Sequence, residues 1–394
     1  MAVVVQKYGG SSVADIPRVK RVAQLATGAR RAGDDVVVVV SAMGKTTDGL
    51  LKQAHEVSAN PDRRELDMLL TVGERISMAL LAMAIKDLGY DAISFTGSQS
   101  GIITNDTHSD ARIMEVRPTR IQDALRAGKI VIVAGYQGVS TRKEVTTLGR
   151  GGSDTTAVAL AAALNAQRCE IYSDVDGVYT ADPRLAQAAI RMDVLSHVEM
   201  QEMAEAGAKV LNAQAVEWAR RAGIVIHALK TGEPGPGTRV EPAPPRASGG
   251  VRAVVQRARV LWLSGEARAD ELLAFLDGHH APADLCWLGG GRVTALLPLE
   301  NLHGLEVFAA QLAEKFGGRL EAHTRFGAVS LVGDGLGASH ATLGSALRVL
   351  AEAGHPVHHA AHSALRITLV TDADAVPAAV AVLHRAFLET PAAR

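Results

Sequence analysis

Two repeating patterns and one break between them predict the fold class: α/β, with a mainly parallel sheet sandwiched by helices, followed by two small α+β modules. Up to residue 232, runs rich in Val and Ile alternate with helical patterns, the signature of strands joined by helical crossovers. From Gly232 to Gly250 the chain turns to Pro234, Gly235, Pro236, Gly237, Pro242, Pro244, Pro245 and Ser248-Gly249-Gly250, a linker composition. After it, a strand–helix–strand–strand–helix–strand plan occurs twice. The expected domains are 1–232, a linker at 233–250, a first module at 251–325 and a second at 326–394. A chain of 394 residues exceeds one ordinary core and suits two or three domains.

The elements follow in order. Val3-Val4-Val5 is a short buried strand, and Ile16 to Arg31 has helical spacing with Val19, Val22, Ala23 and Ala26 on one face. Val36 to Val40 is an unbroken β-branched run, as expected of a strand covered on both faces. Leu66 to Leu88 reads as a long helix, Ile130 to Ala134 as a strand, Thr155 to Leu164 as a helix and Cys169 to Tyr172 as a strand. In the first module Val260–Leu263, Asp270–Leu276 and Val293–Leu297 read as strand, helix and strand. In the second, Ala328–Val332, Thr342–Ala353, Leu365–Val370 and Ala375–Leu388 read as strand, helix, strand and helix.

Composition excludes several classes. The formal charge is -1, and no basic block points to nucleic acid. Apolar runs such as Val36 to Val40 are too short to span a bilayer, and the N-terminus enters a strand-like run without a signal-peptide pattern. The two cysteines, Cys169 and Cys286, lie in apolar strand contexts without metal-ligand spacing. The expectation is a cytoplasmic protein with no membrane and no nucleic-acid partner. His355, His358, His359 and His362 lack a Cys or carboxylate partner in register and read as a surface loop rather than a metal site.

Four motifs carry chemistry, each with a plainer alternative. Lys7-Tyr8-Gly9-Gly10-Ser11-Ser12 follows the first strand and opens the first helix. Glycines let backbone N–H groups approach an anion, and a lysine adds mobile positive charge; the plainer reading is a strand–helix turn. Gly149-Arg150-Gly151-Gly152-Ser153-Asp154-Thr155-Thr156 is a second glycine turn, with an arginine suited to gripping a carboxylate and an acid suited to an ammonium or a lysine. Alternatively Ser153 or Asp154 serves only as an N-cap. Gly73-Glu74-Arg75 offers a carboxylate to an ammonium, or a surface ion pair. Tyr172 to Arg184 holds turns at Asp176-Gly177 and Asp182-Pro183, facing a nucleotide or forming an ordinary acidic loop.

Taken in one order, Lys7 to Val13, Ser41-Ala42-Met43-Gly44, Thr46-Thr47-Asp48, Gly73-Glu74-Arg75, Gly149 to Thr156, Ser173 to Arg184 and Gly207 to Leu211 resemble the aspartate kinase family of the amino-acid-kinase fold. The resemblance covers nearly all of residues 1–232. It implies transfer of the γ-phosphoryl group of ATP, with Mg²⁺, onto the side-chain carboxylate of L-aspartate, the first step of aspartate-family amino-acid synthesis. The roles implied are Lys7, Asp154 and Lys209 for catalysis and Thr47, Glu74, Arg150 and Ser153 for the substrate. Lys7, Gly9, Gly10, Ser41, Ser173, Asp174, Tyr179, Asp182, Arg184 and Lys209 are implied for ATP, with no metal-ligating side chains. The nucleophile is already ionised at neutral pH, so no general base is required. Another amino-acid carboxylate as acceptor, or a non-catalytic amino-acid sensor, are the alternatives.

The later modules look like the paired ACT regulatory domains of that family, which implies a homodimer or higher homo-oligomer. They depart from the family's pattern. Ser264-Gly265-Glu266-Ala267-Arg268-Ala269 lacks the expected Pro-Gly turn, a Gly-rich loop replaces an Asn-rich strand around Cys286 to Arg292, and Ser339-His340-Ala341 stands where Pro-Gly-Val is expected. Weakened or lost response to lysine and threonine is the expectation; a changed effector is the competing one.

Overall fold

The computed structural model describes residues 2–149, 151–242, 249–302 and 304–389. The chain forms two compact units: the first holds 1–178, 192–201 and 209–244, and the second holds 179–191, 202–208 and 245–394.

The first unit runs β1 (Val3–Tyr8), α1 (Ile16–Arg31), β2 (Asp35–Val40), α2 (Thr46–Val57), α3 (Arg63–Leu70), α4 (Val72–Asp87), β3 (Ala92–Phe95), β4 (Ile102–Thr104), β5 (Ile113–Val116), α5 (Thr119–Arg126), β6 (Ile130–Ala134), β7 (Gln137–Ser140), β8 (Val145–Thr147), α6 (Gly152–Ala163) and β9 (Arg168–Ser173). It continues with β10 (Val194–Ser196), α7 (His197–Glu205), whose residues from Glu202 on are counted in the second unit, α8 (Ala213–Ala222), β11 (Ile226–Lys230) and β12 (Thr238–Glu241). An eight-stranded sheet has the order β10-β12-β11-β9-β1-β2-β6-β3. Only the β11–β12 pair is antiparallel. Val36 to Val40 and Ile130 to Ala134 are fully buried, because both faces are covered, as parallel sheets require. On one face Val19, Val22, Ala23 and Ala26 of α1 and Leu81 and Ile85 of α4 pack on Val36, Val38, Val40, Ile130 and Ile132. On the other, α6 lies against β1, β2 and β9 and packs on α8. A small sheet β5-β4-β7-β8 is built from strands inserted on either side of β6 in sequence.

The neighbours of β1 on its two sides are β2 and β9. The chain therefore leaves the carboxyl end of β1 toward one side and returns on the other much later. A crevice outside the carboxyl ends of parallel strands is where ligands bind in such sheets. Lys7, Ser41, Gly135 and Ser173 all lie at those ends.

The second unit holds β13 (Gly250–Arg257), β14 (Val260–Glu266), α9 (Ala269–Gly278), β15 (Leu285–Gly289), β16 (Arg292–Pro298), α10 (Leu305–Phe316), β17 (Leu320–His323), β18 (Phe326–Asp334), α11 (Ala341–Glu352), β19 (His359–His362), β20 (Arg366–Asp372) and α12 (Val376–His384). Its sheets are β15-β16-β14-β17 and β13-β18-β20-β19, joined by a cluster of Val260, Trp262, Leu296, Phe326, Ala328 and Val370.

Several sequence expectations shift. The stretch 233–250 is not all linker, since Thr238–Glu241 joins the eight-stranded sheet. The strand Gly250–Arg257 pairs with Phe326–Asp334, not with the module that follows it. The second module thus takes its sixth element from before the first module, which is complete within Val260–His323. Local strand propensity marks a strand but not its partner. Leu66–Leu88 is broken at Thr71 into α3 and α4. Together Arg63–Asp87 is long and apolar enough to cross a membrane by length and composition, contrary to the expectation that no segment is. Its buried Asp67 and Glu74, and its packing on the sheet, are features of a core helix. His359 and His362 lie on β19, not in a loop. His358 pairs with Asp372 at 2.9 Å, and His359 stacks on Trp262.

Candidate active site

The Lys7 turn closes at the end of β1. The Gly9 N–H donates to Tyr172 O at 3.2 Å and the Gly44 N–H to Gly10 O at 3.0 Å, tying the turn to β9 and to the loop after β2. A Cβ on Gly10 would lie 2.9 Å from Ala42 O, so only glycine admits this approach. The turn does not open α1, as the sequence suggested. It forms a short 3₁₀ turn, Gly10–Val13, and α1 starts separately on an Asp15 cap, whose side chain accepts from the Arg18 N–H. Lys7 Nζ lies 2.7 Å from Asp154 Oδ1, and both side chains are about nine-tenths buried. The pair joins the two glycine turns.

The second turn opens α6. Gly151, with φ +73°, is its N-cap, and no side chain caps it. Ser153 and Asp154 are therefore not caps. Both are 7% exposed inside the first turn, which frees the Asp154 carboxylate for Lys7. Arg150 lies outside the described residues. Asn212 holds the turn from behind: a Cβ on Gly151 would lie 2.4 Å from its Nδ2, and its Oδ1 accepts from Thr155 Oγ1 and caps α8.

Glu74 is not a surface ion pair. It is 3% exposed in the first turn of α4. Gly73 makes this possible, since a Cβ there would lie 2.7 Å from Ala42 Cβ. The Ala42 N–H donates to Oε1 at 3.1 Å, while Oε2 is buried without a partner in the described structure. Burial raises the carboxyl to about 7, against the lowering effect of its own backbone N–H and that of Ala42. A buried carboxylate with one oxygen unsatisfied is a costly arrangement, and an incoming cation would relieve it. Tyr136 lies nearby. Burial pushes its phenol up to about 12, with the negative charges of Glu74, Asp67 and Asp110 adding to the effect.

Residues 2–229 match the model of the amino acid kinase family. The chain is 45% identical over 412 aligned positions to the aspartokinase of Mycolicibacterium smegmatis, covering 98% of this chain and 96% of that one. The chain belongs to the aspartokinase family. It is a kinase, and its architecture is that of solved aspartokinases. Escherichia coli aspartokinase III in complex with aspartate and ADP superposes with a TM-score of 0.85, covering 97% of this chain and 99% of that one at 25% identity. The Mycobacterium tuberculosis H37Rv aspartokinase is 59% identical over 239 residues, which cover 60% of this chain and 57% of that one.

The remaining expected residues of this aspartokinase-family chain fall in different places. Ser41 directly follows β2 and Thr47 lies in the first turn of α2, both half-buried. Ser173 ends β9, with its Oγ accepting from the Val175 N–H, and Asp174 is exposed. Lys209 is exposed in the first unit. Tyr179, Asp182 and Arg184 belong to the second unit, where Arg184 grips Asp182 through Nε at 3.0 Å and Nη2 at 2.6 Å. That guanidinium holds the Asp182 carboxyl below its ordinary value. Among the described residues no three His, Cys, Asp or Glu side chains gather as metal ligands.

Sequence reasoning missed Gly135, Asn212, Tyr136 and the Ala42 N–H. Gly135 admits Ser153, whose Oγ would lie 2.7 Å from a Cβ there. The signal available was a glycine directly after a buried strand. Asn212 before a helical run carried only its N-cap signature.

Proposed function

We propose that this enzyme transfers the γ-phosphoryl group of ATP to the side-chain carboxylate of L-aspartate, giving 4-phospho-L-aspartate and ADP. The observation that carries the reading is Glu74: a buried carboxylate with an unpartnered oxygen, fitted to the ammonium of a free α-amino acid. It disfavours N-acylated acceptors, which have no ammonium to offer. In this reading Arg150 takes the α-carboxylate, and Thr47 and Ser153 contact the substrate. Asp154 orients the ammonium and holds Lys7 through their 2.7 Å pair. Lys7 lies between donor and acceptor and stabilises charge on the phosphoryl group in flight. Gly9, Gly10 and Ser41 line the phosphates, and Ser173, Asp174 and Lys209 serve the nucleotide.

A side-chain oxygen of aspartate forms the new P–O bond as the bond to the β,γ-bridging oxygen breaks and ADP leaves. Both reactants are anions, so positioning and neutralisation supply the catalysis. Mg²⁺ would enter with the nucleotide, whose phosphates supply its ligands beside one or two carboxylates. The described residues form no cage for it, and it would lower the charge of the phosphates.

The same reading includes a cytoplasmic place in aspartate-family amino-acid synthesis, association of chains through the ACT-like modules, and a weakened response to lysine and threonine. The Gly-rich loop expected around Cys286 to Arg292 is instead strand β15, Leu285–Gly289, and a two-residue Gly290-Gly291 turn; what supports the weakened response is that this strand carries no Asn. ATP-dependent hydroxamate formation with L-aspartate tests the activity, since only an acyl phosphate gives that product. Activity unchanged by lysine plus threonine is the expected outcome, and joint suppression would overturn the regulatory part. No product with aspartate would overturn the acceptor.

A further inference from the structure

Asp67 is fully buried on α3, yet no role in substrate recognition falls to it. Its carboxylate gathers three donors from two other segments. The Thr147 Oγ1 hydroxyl donates to Oδ1 at 2.6 Å, His108 Nδ1 meets Oδ2 at 2.7 Å, and the Ser109 N–H donates to both oxygens at 3.1 and 3.2 Å. Ser109 has φ +67°, a region unfavourable to a residue with a side chain, so its amide is turned toward Asp67 against local preference. The Ala111 N–H then donates to Thr147 O at 2.8 Å.

Thr147 ends β8, and Leu148 and Gly149 lead directly to Arg150. Leu148 is fixed by its N–H on Tyr136 O at 2.9 Å. Gly149 has φ +71°, and a Cβ there would lie 2.6 Å from Asp110 Oδ1, so the loop carrying His108 and Ser109 presses on Gly149 itself. Asp67 on α3 and Glu74 on α4 are seven residues apart, and Thr71 between the helices keeps right-handed backbone (φ −65°, ψ −11°), so the two stand on a nearly continuous rod, two turns apart on the same side and roughly 10 Å along the axis. The rod is tied once more by the Gln137 Nε2 amide, which donates to Thr71 O at 3.1 Å.

We propose that Asp67, with His108 and Thr147, is a positioning brace that fixes the span between the two groups reading an α-amino acid. Glu74 projects from the rod directly, and the Thr147–Gly149 stretch that leads in sequence to Arg150 is referred to the same rod through Asp67. The inference rests on the proposed roles of Glu74 and Arg150. Asp67 touches no substrate in it. Loss of the brace lets the Thr147–Gly149 stretch drift relative to Glu74, which weakens the acceptor and leaves the nucleotide turn at Lys7 and Gly9 in place.

The test is the steady-state KM for aspartate and for ATP in wild type, Asp67→Asn and Thr147→Val, with melting temperatures alongside. Asp67→Asn keeps the shape but meets donors with an amide. The aspartate KM is expected to rise tenfold or more in Asp67→Asn and several-fold in Thr147→Val, with the ATP KM within twofold of wild type. A folded Asp67→Asn enzyme with aspartate KM within twofold overturns the brace, as does an equal rise in both KM values, which marks general loosening. Should Asp67→Asn not fold, Thr147→Val and His108→Gln decide by the same criterion. A wild-type enzyme that phosphorylates a different amino acid overturns the aspartate reading alone. The same split in KM for that acceptor then carries the brace.

Discussion

Replacing Glu74 by Gln should stabilise the unliganded protein while impairing it as an enzyme. Burial raises the Glu74 carboxyl from 4.5 to about 7. The folded protein therefore holds a proton there that the unfolded chain releases near 4.5. Relative stability from this group is fully present below pH 4.5 and lost as pH rises through about 7. A shift of that size corresponds to about 3 kcal/mol against the folded state at pH 8. Glu74→Gln carries no charge to desolvate and should recover part of it, raising the melting temperature at pH 8 but not at pH 5. Aspartate binding has the opposite sign, because only the ionised carboxylate pairs with the ammonium. With a site near 7, wild-type affinity should fall about tenfold from pH 8 to pH 6, where aspartate itself does not titrate. Titration calorimetry with aspartate at both pH values, and thermal melts of both proteins, measure the two effects. A wild-type affinity that is flat between pH 6 and 8, or a Glu74→Gln protein with the same slope, would refute the reasoning.

Three other substitutions probe separate links. Lys7→Ala should lower kcat by roughly a hundredfold or more with a modest change in aspartate KM; near-normal kcat in the hydroxamate assay removes Lys7 from the chemistry. Gly151→Ala meets both the positive φ and the Asn212 side chain; left-handed backbone and a disturbed α8 cap together should cost about 2–4 kcal/mol in denaturant unfolding. Arg257 is 8% exposed and pairs with Asp284 at 2.7 Å, with Glu300, and with the Glu205 carbonyl. Arg257→Ala should cost about 1–3 kcal/mol by taking the nearest cation from half-buried Asp284, which keeps only Arg366 nearby, and a loss under about 0.5 kcal/mol by chemical denaturation would show that water reaches the cluster.

The strands and glycine turns that bring Lys7 to Asp154 were legible because their signals are local. Gly9, Gly10 and Gly151 mark turns after buried strands, although the first ends in a 3₁₀ turn instead of opening α1, and β1, β2 and β6 are β-branched runs suited to a doubly covered sheet. Glu74 was only half legible. Its neighbour Gly73 gave no hint that α4 would press on Ala42, and that packing turns a surface-type residue into a buried one. Asp67 was not legible at all: its partners are 41, 42 and 80 residues away in sequence, and an aspartate inside an amphipathic helix looks like any solvated acid. The strand Gly250–Arg257 failed for a related reason. Its alternation identifies a strand, but its partner β18 lies beyond the whole of the first module.

The arrangement of charge explains why such a site is built from glycine turns and buried acids rather than from a base. An acyl phosphate forms only if a carboxylate approaches a polyanion, so the protein must hold anions close without adding net repulsion. Asp154 meets this condition by its 2.7 Å pairing with Lys7, which makes that turn nearly neutral while orienting the lysine. Glu74 meets it differently. With its carboxyl near 7 it is part protonated at neutral pH, and pairing with an ammonium would draw it fully into the ionised form. The negative charge needed for recognition is then present chiefly when its counter-charge is bound. A glutamate placed at the surface would be ionised at all times and would add its field to that of the phosphates, which is a physical reason for Gly73 to let the helix bury it.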